Sequence, residues 1–270
     1  MDEIGSSGPA EIYERYMGRA IADPFTRVLL DYAVPKRGER VLDLASGTGS
    51  VARHVAPMIG REGQVVAVDI NPAMLAVGRA AAPPAGASIE WREGDALSLD
   101  VPDQTFDLVL CQQGLQFFSD RAAALRETRR VMVRNGRTVY SVWQTLDAHP
   151  VYKVLFEVTA RHLRTTISDL DVSFSLGNAE TLRLLFSDAG FGQIDVWPQS
   201  IIVRLPSPEH FVSLTIAGAA TAVPAFTRLS AEARADLATA IAGELDPTIE
   251  RYTDGDELAF QMSTNVVVAS

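Results

Sequence analysis

The sequence predicts an α/β fold, a doubly wound and mainly parallel sheet with helices on both faces. Three observations predict it. An apolar run, Val41–Leu44, stops at a turn carrying Gly47 and Gly49, and a helix-like stretch follows from about Val51. A second apolar run, VVAVD, ends on Asp69, twenty residues past Gly49. Strand-like and helix-like segments then alternate as far as Trp143. Such alternation builds a parallel sheet from right-handed βαβ units. Glycines at the first corner let the backbone take positive φ and let a ligand approach closely. A carboxylate at the tip of the neighbouring strand lies where a pair of ribose hydroxyls would sit. The pattern points to a nucleoside-bearing ligand at the C-terminal edge of the sheet.

The elements follow in order. Residues 1–10 read as flexible. Residues 11–33 read as helical, with Ile12, Tyr16, Ile21, Phe25, Val28, Leu29 and Tyr32 on the apolar face. The first strand covers Arg40–Ala45 and its helix runs to about Ile59. GREGQ is a loop before the second strand, Val65–Asp69. Pro72 suits the first turn of the next helix, which reaches about Ala82. A third strand lies around Ile89–Arg92 and a fourth at Phe106–Cys111. The next helix spans about Asp120–Val133 and stops at Asn135-Gly136, ahead of a fifth strand, Arg137–Trp143. Beyond it come helical residues 146–176, a helix over 178–189 halted by Gly190, and β-like runs at Gln193–Val196 and Ile201–Leu205. Residues 207–246 are Ala-rich and helical, with breaks at Pro224 and Pro247, and a β-like Leu258–Ala269 closes the chain.

Bulk properties narrow the function. The 270 residues suffice for one large α/β domain with insertions, and 47% hydrophobic content is that of a full core. A net charge of −10 disfavours a nucleic-acid partner, since phosphate neutralisation needs clustered Lys and Arg. The one basic run, Arg126–Arg130, reads as the solvated face of a helix. The lone cysteine, Cys111, allows no intramolecular disulfide and reads as a buried small hydrophobe. The N-terminus lacks the positive and apolar regions of a signal peptide, and no run is long enough for a membrane span. A cytoplasmic location is expected, and no metal site is read.

A glycine turn alone does not choose the ligand. The run from Gly47 to Ala52 satisfies the G-x-G-x-x-A pattern of dinucleotide enzymes. Three features count against that reading. Asp43 stands in the strand just before the turn, where a carboxylate repels a pyrophosphate and suits a cation. Asp95, in WREGDA, aims a second acid at the same edge. The fourth strand ends in CQQGLQFF, which puts amides and aromatics where a dehydrogenase holds its nicotinamide. S-adenosylmethionine (SAM), with a sulfonium, an ammonium, one carboxylate and no phosphate, fits better.

These residues resemble the class I SAM-dependent methyltransferases, and among them the ubiquinone/menaquinone-biosynthesis-like (type 11) branch. The resemblance runs through AEIYERYM, LDLASGTG, VVAVDINPAMLAVGR, WREGDALSLDVPDQTFDLVLCQQGLQFF, RAAALRETRRVM, ETLRLLFSDAGF and FQMSTNVVVA. It implies a Rossmann-like sheet of about seven strands with the last antiparallel. It implies a single domain over 1–270, with a SAM-binding core at 11–145 and helical insertions at 146–176 and 207–250 that form a lid or substrate cap. It also implies a cofactor set. Ala45, Gly47 and Gly49 would pass under the methionine and ribose, and Asp69 with Ile70 would meet the ribose hydroxyls. Met74 would pack on the adenine, and Gly94, Asp95 and Ala96 would meet its polar edge. Gln112 would lie near the methionine part, Asp43 beneath the turn, and Tyr16 on an N-terminal helix that closes over the cofactor. Gln116 departs from the histidine that relatives often carry there, and RNGR (Arg134–Arg137) departs from their Pro-Gly-Gly.

The activity so implied is methyl transfer to oxygen, carbon or nitrogen of a small organic acceptor. Such a displacement relies on positioning in a dry site and needs a base only if the acceptor must lose a proton. Among His54, His149, His162 and His210, the candidate base is His149, which follows the fifth strand at the start of the first insertion, with Tyr152 beside it. The apolar insertions would suit an apolar acceptor, or else make a homodimer interface. Two other readings stay open at this level. A SAM-binding protein that does not methylate would bind the cofactor without turnover, and an NAD-type oxidoreductase would bind NAD through Asp69.

Overall fold

The structure is a computed structural model, and it describes residues 8–270. In chain order the elements are α1 (Pro9–Ile12), a π-helical stretch (Tyr13–Ala22), α2 (Asp23–Ala33), β1 (Arg40–Leu44), α3 (Ser50–Ile59), β2 (Gln64–Asp69) and α4 (Pro72–Ala80). Then come β3 (Ser88–Glu93), β4 (Phe106–Gln112), α5 (Arg121–Val131), β5 (Met132–Trp143), α6 (Pro150–Leu163), α7 (Ala179–Asp188) and β6 (Ile194–Pro206). The chain ends with α8 (Phe211–Ala219), α9 (Pro224–Thr227), α10 (Ala231–Tyr252), β7 (Thr253–Asp254) and β8 (Glu257–Ala269). No helix among the described residues is long and apolar enough to cross a membrane.

The chain divides into two compact units. The sheet unit comprises Phe25–Trp143, Leu176–Gln199 and Thr264–Ser270. The helical unit comprises the residues up to Pro24, Gln144–Ser175 and Ser200–Ser263. The strand order is β3-β2-β1-β4-β5-β8-β6, with the two-residue β7 paired to β8. Strands β3, β2, β1, β4 and β5 pair in parallel, and β8 runs antiparallel to β5. The order reverses between β1 and β4, so their C-terminal ends frame the crevice where open α/β sheets bind ligands. The β1 and β2 residues alternate between the two faces of the sheet. Leu42, Leu44, Val66 and Val68 join the core beneath α5 and α7, whereas Val41, Val65 and Ala67 join the core beneath α2 and α3.

In the helical unit, α10 packs on both α6 and α8, burying Leu237, Ile241 and Leu245. An aromatic group forms its centre, with the Tyr152 ring 5.7–5.9 Å from those of Phe174, Phe211 and Phe260.

Several expectations are corrected. Asn135-Gly136 does not stop a helix, because α5 ends at Val131 and both residues lie in β5. The register against β4 slips there, from Phe106↔Met132 to Leu108↔Arg137. A Cβ on Gly136 would meet the carbonyl oxygens of Val133, Asp107 and Phe106 at 3.0–3.2 Å, so the glycine serves a bulge. Pro247 does not break its helix and lies inside α10, whose apolar stripe is held by packing. The two late β-like runs are one strand, β6. The expected flexibility of residues 1–10 falls mostly on residues 1–7, outside the described residues, while Pro9 and Ala10 open α1. Arg130 is not simply solvated. It bonds Glu127, Asp103 and the carbonyls of Leu99 and Val101, pinning the loop before β4.

Candidate cofactor and active site

The glycine turn is built from its side-chain conflicts. Gly47 has φ +55°, and a Cβ there would sit 3.4 Å from Met74 Cε. Gly49 has φ +83°, and its Cβ would overlap the Trp91 ring. Gly78 in α4 faces the same indole, where a Cβ would come within 2.6 Å of the ring and 2.9 Å of the Thr48 carbonyl. Trp91 therefore clamps the turn from β3. Sequence reasoning missed it, although a glycine in mid-helix costs stability and signals a close neighbour.

Asp69 ties the second strand to that turn. Its Oδ2 accepts the Gly47 N–H at 2.7 Å and its Oδ1 accepts the Asn71 N–H at 2.8 Å. The N-cap of α4 is Asn71, whose side chain accepts from Ala73, so Asp69 is not used for capping. Carboxylate oxygens carry two lone pairs each, so Asp69 keeps acceptor capacity. Burial raises its pKa, and the backbone N–H groups oppose that rise. Ile70 is 68% exposed, and Met74 is buried. The Gly94 N–H donates to the Asp69 carbonyl at 3.0 Å. Asp95 accepts the Leu97 N–H at 2.9 Å, and Ala96 is buried beside it.

Asp43 is 1% exposed and lies under the turn. Its Oδ2 accepts the Ala52 N–H, in the first turn of α3, at 2.9 Å. Burial pushes its pKa up to about 7, and the neighbouring Asp69 adds to the rise. Ala45 closes β1 at φ +55°. Gln112 closes β4, and its Oε1 accepts from Thr26 Oγ1 at 2.8 Å, which is itself 2.8 Å from the Ser50 hydroxyl. A polar relay thus links the end of β4 to the start of α3. Asp43, Ala45, Gly47, Gly49, Asp69, Ile70, Met74, Gly94, Asp95, Ala96 and Gln112 all belong to the sheet unit.

Tyr16 and His149 belong to the helical unit. Tyr16 is buried, its hydroxyl has no hydrogen-bond partner, and burial raises its pKa. His149 is fully buried, with Nδ1 3.0 Å from the Thr145 carbonyl and Nε2 3.0 Å from the Ser263 N–H. Nε2 also lies 3.0 Å from the Ser263 carbonyl, so both ring nitrogens are engaged by backbone groups. Burial lowers the imidazole pKa and keeps the ring neutral. The geometry makes the candidate base His149 a clip between the start of α6 and β8. Tyr152 is likewise enclosed by aromatic rings. His54 bonds the Ser50 carbonyl, His162 bonds Glu244 and His210 lies against Glu209.

The sheet-edge residues fit SAM. Gly47 provides a cradle that a Cβ would narrow against Met74. The segments Val41–Ser50, Val65–Met74 and Gly94–Leu97 carry acids and no Lys or Arg. Such a set serves a sulfonium and a ribose better than a pyrophosphate.

Comparison with known proteins bears on the same residues. Residues 41–136 match the family model described as a methyltransferase domain. The Ubiquinone/menaquinone biosynthesis C-methyltransferase UbiE of Escherichia coli O1:K1 is 31% identical over 184 residues, covering 63% of this chain and 73% of that protein. Its counterpart in Cronobacter sakazakii is 30% identical with the same coverage. Among solved structures, the YcgJ protein of Bacillus subtilis superposes with a TM-score of 0.55 at 18% identity, over 90% of this chain and 96% of that one. A phosphoethanolamine N-methyltransferase 2 of Haemonchus contortus, in complex with S-adenosylhomocysteine, gives a TM-score of 0.56 at 19% identity, over 96% of this chain and 56% of that one. The structures share the fold, and the family model spans the glycine turn. The chain belongs to the class I SAM-dependent methyltransferases, as a UbiE-like enzyme that transfers a methyl group from SAM to a small-molecule acceptor.

Proposed function

We propose that transfer takes place at the C-terminal ends of β1 and β4, with the sheet-edge residues dividing the cofactor between them. Asp69 and the Ile70 backbone hold the ribose hydroxyls. Met74 covers the adenine, and Gly94, Asp95 and Ala96 meet its polar edge. Ala45, Gly47, Gly49 and Gln112 line the methionine part. Asp43 supports them from below by fixing the first turn of α3. The bound cofactor supplies an electrophilic methyl group on a sulfonium sulfur. The chain's own contribution is to exclude water and hold the acceptor's nucleophilic atom in line, without a histidine base. The curated relatives are named as C-methyltransferases, which favours carbon among the possible acceptor atoms. One cysteine, an acidic chain and no membrane-spanning helix among the described residues support a cytoplasmic enzyme.

The observation that carries the site assignment is the 2.7 Å bond from Gly47 to Asp69, which couples the ribose carboxylate to the glycine turn. Calorimetric titration with SAM, S-adenosylhomocysteine and NAD tests it, on the native chain and on Asp69→Ala. Micromolar binding of both adenosyl ligands is expected, weakened about a hundredfold or more in the variant, as suits the loss of two hydrogen bonds to a charged group. Unchanged affinity in Asp69→Ala, or binding of NAD alone, would overturn the assignment.

A further inference from the structure

Next to the end of β4 the sheet unit holds a polar group that the cofactor assignment does not use. Gln113 has φ +54°, and its N–H donates to the Ser141 carbonyl at 2.9 Å. Its Nε2 donates to Thr264 Oγ1 at 3.1 Å, and that hydroxyl donates to the Val142 carbonyl at 2.7 Å. Gln116, in the single turn Leu115–Phe117, donates from Nε2 to Gln113 Oε1 at 3.4 Å. Arg121 donates to the Gln116 backbone carbonyl at 3.0 Å. The side-chain chain Gln116–Gln113–Thr264 is therefore neutral and leads from β4 to β8.

Two of its neighbouring atoms are unsatisfied. Gln116 is 1% exposed and its Oε1 has no partner. Ser141 is also 1% exposed, and its Oγ has none. Ser141 is the register partner of Gln112, so both side chains lie on one face of the sheet at the edge assigned to methyl transfer. Buried polar atoms in native folds are almost always bonded, and an orphan in a site marks a place completed by a ligand.

We propose that Gln116 Oε1 and Ser141 Oγ are the polar grip on the methyl acceptor. The acceptor is neutral and offers an O–H or N–H. Gln116 Oε1 accepts that hydrogen, and the bond to Gln113, itself tethered to Thr264, orients the amide. An anionic acceptor is disfavoured, since its oxygens would face the Gln116 oxygen without a hydrogen to share with it. Half-buried Phe117 and Phe118 follow Gln116 in the chain. This inference rests on the proposed site of methyl transfer.

The test uses the full chain saturated with S-adenosylhomocysteine and four probes: phenol, aniline, anisole and benzoate. The Gln116 side-chain NH2 signal is followed by NMR and identified by its loss in Gln116→Leu. Phenol and aniline should shift that signal and bind at least about tenfold more tightly than anisole, as expected for one buried hydrogen bond. Benzoate should bind no better than anisole. Gln116→Leu and Ser141→Ala should each weaken phenol while leaving S-adenosylhomocysteine affinity within about twofold, which also shows that the variants fold. Equal binding of phenol and anisole, preference for benzoate, absence of any shift, or undiminished phenol binding in Gln116→Leu would overturn the inference. A Gln116→Leu protein that stays folded by circular dichroism but loses S-adenosylhomocysteine affinity would also overturn it, by assigning the oxygen to the cofactor. Failure of the native chain to bind S-adenosylhomocysteine would sink the cofactor reading itself, and this inference with it.

Discussion

Replacing Asp43 with Asn removes one buried charge while keeping an oxygen for the Ala52 N–H. The carboxyl is fully buried, and its pKa rises from 3.8 to about 7. At about 1.4 kcal/mol per unit, a rise of roughly three units amounts to about 4 kcal/mol between the two protonation states. The sign follows from proton binding. Between pH 4 and 7 the folded chain keeps a proton on Asp43 that the unfolded chain releases, so the stability contributed by this group falls as pH rises. The contribution is fully present below the ordinary carboxylate pKa and lost as pH passes the folded value near 7. Urea unfolding followed by tryptophan fluorescence reads it, because Trp91, Trp143 and Trp197 all lie in the sheet unit. From pH 4 to pH 8, without cofactor, the native chain should lose about 4 kcal/mol relative to Asp43→Asn. A difference between the two proteins that stays flat within about 1 kcal/mol across this range would refute the argument, since it would mean that Asp43 ionises in the fold as it does in water.

Gly49→Ala should destabilise the sheet unit by about 3 kcal/mol or more, from positive φ together with overlap on Trp91, whereas in a Trp91→Ala background only the φ cost of about 1–2 kcal/mol should remain. Equal costs in the two backgrounds, measured by urea unfolding with circular dichroism, would show that the indole is not what requires the glycine. His149→Ala should lower stability by about 2–4 kcal/mol, because the Thr145 carbonyl and Ser263 N–H lose their partner and the ring leaves a void. The pH dependence of methyl transfer should keep its shape in this variant. A lost acidic limb with an unchanged melting temperature would instead restore a role as base.

The sheet was legible because its signals are local. Alternating apolar runs, the Gly47–Gly49 corner and the spacing to Asp69 placed β1 through β4 within a residue or two at each end. The proposed cofactor edge rests on the same kind of signal, since most of the residues proposed for it lie at or just beyond a strand end. What sequence did not show depends on distant partners. Asn135-Gly136 has the form of a helix stop, yet the close approach of the β4 carbonyls makes it a bulge. Pro247 has the form of a break, yet packing of Leu237, Ile241 and Leu245 carries the helix through. His149 looked available because it follows β5 closely. Its engagement comes from Ser263, 114 residues away. Trp91 was invisible as a clamp because its partners, Gly49 and Gly78, lie on two other elements.

The same edge shows why β1 and β4 end as they do. Ala45 and Gln113, which follow these strands, are both non-glycine residues with positive φ, +55° and +54°. Between them a Cβ on Gly114 would come within 2.7 Å of the Ala45 Cβ and 2.8 Å of Cys111 Sγ. The two strand ends are thus drawn together so closely that one position must be glycine. The neighbours on either side of the contact accept an unfavourable backbone, a cost of about 1 kcal/mol or more each. Such strain persists only where the surroundings enforce it. Here the enforcement comes from the Ser46 N–H bond to the Val68 carbonyl on one side and the Gln113 N–H bond to the Ser141 carbonyl on the other. Turning at positive φ swings both chains away from the sheet directly after the strand, which opens the crevice at the switch point. The strain therefore sits between the glycine turn and the Gln113–Gln116 pair, at the edge proposed for methyl transfer.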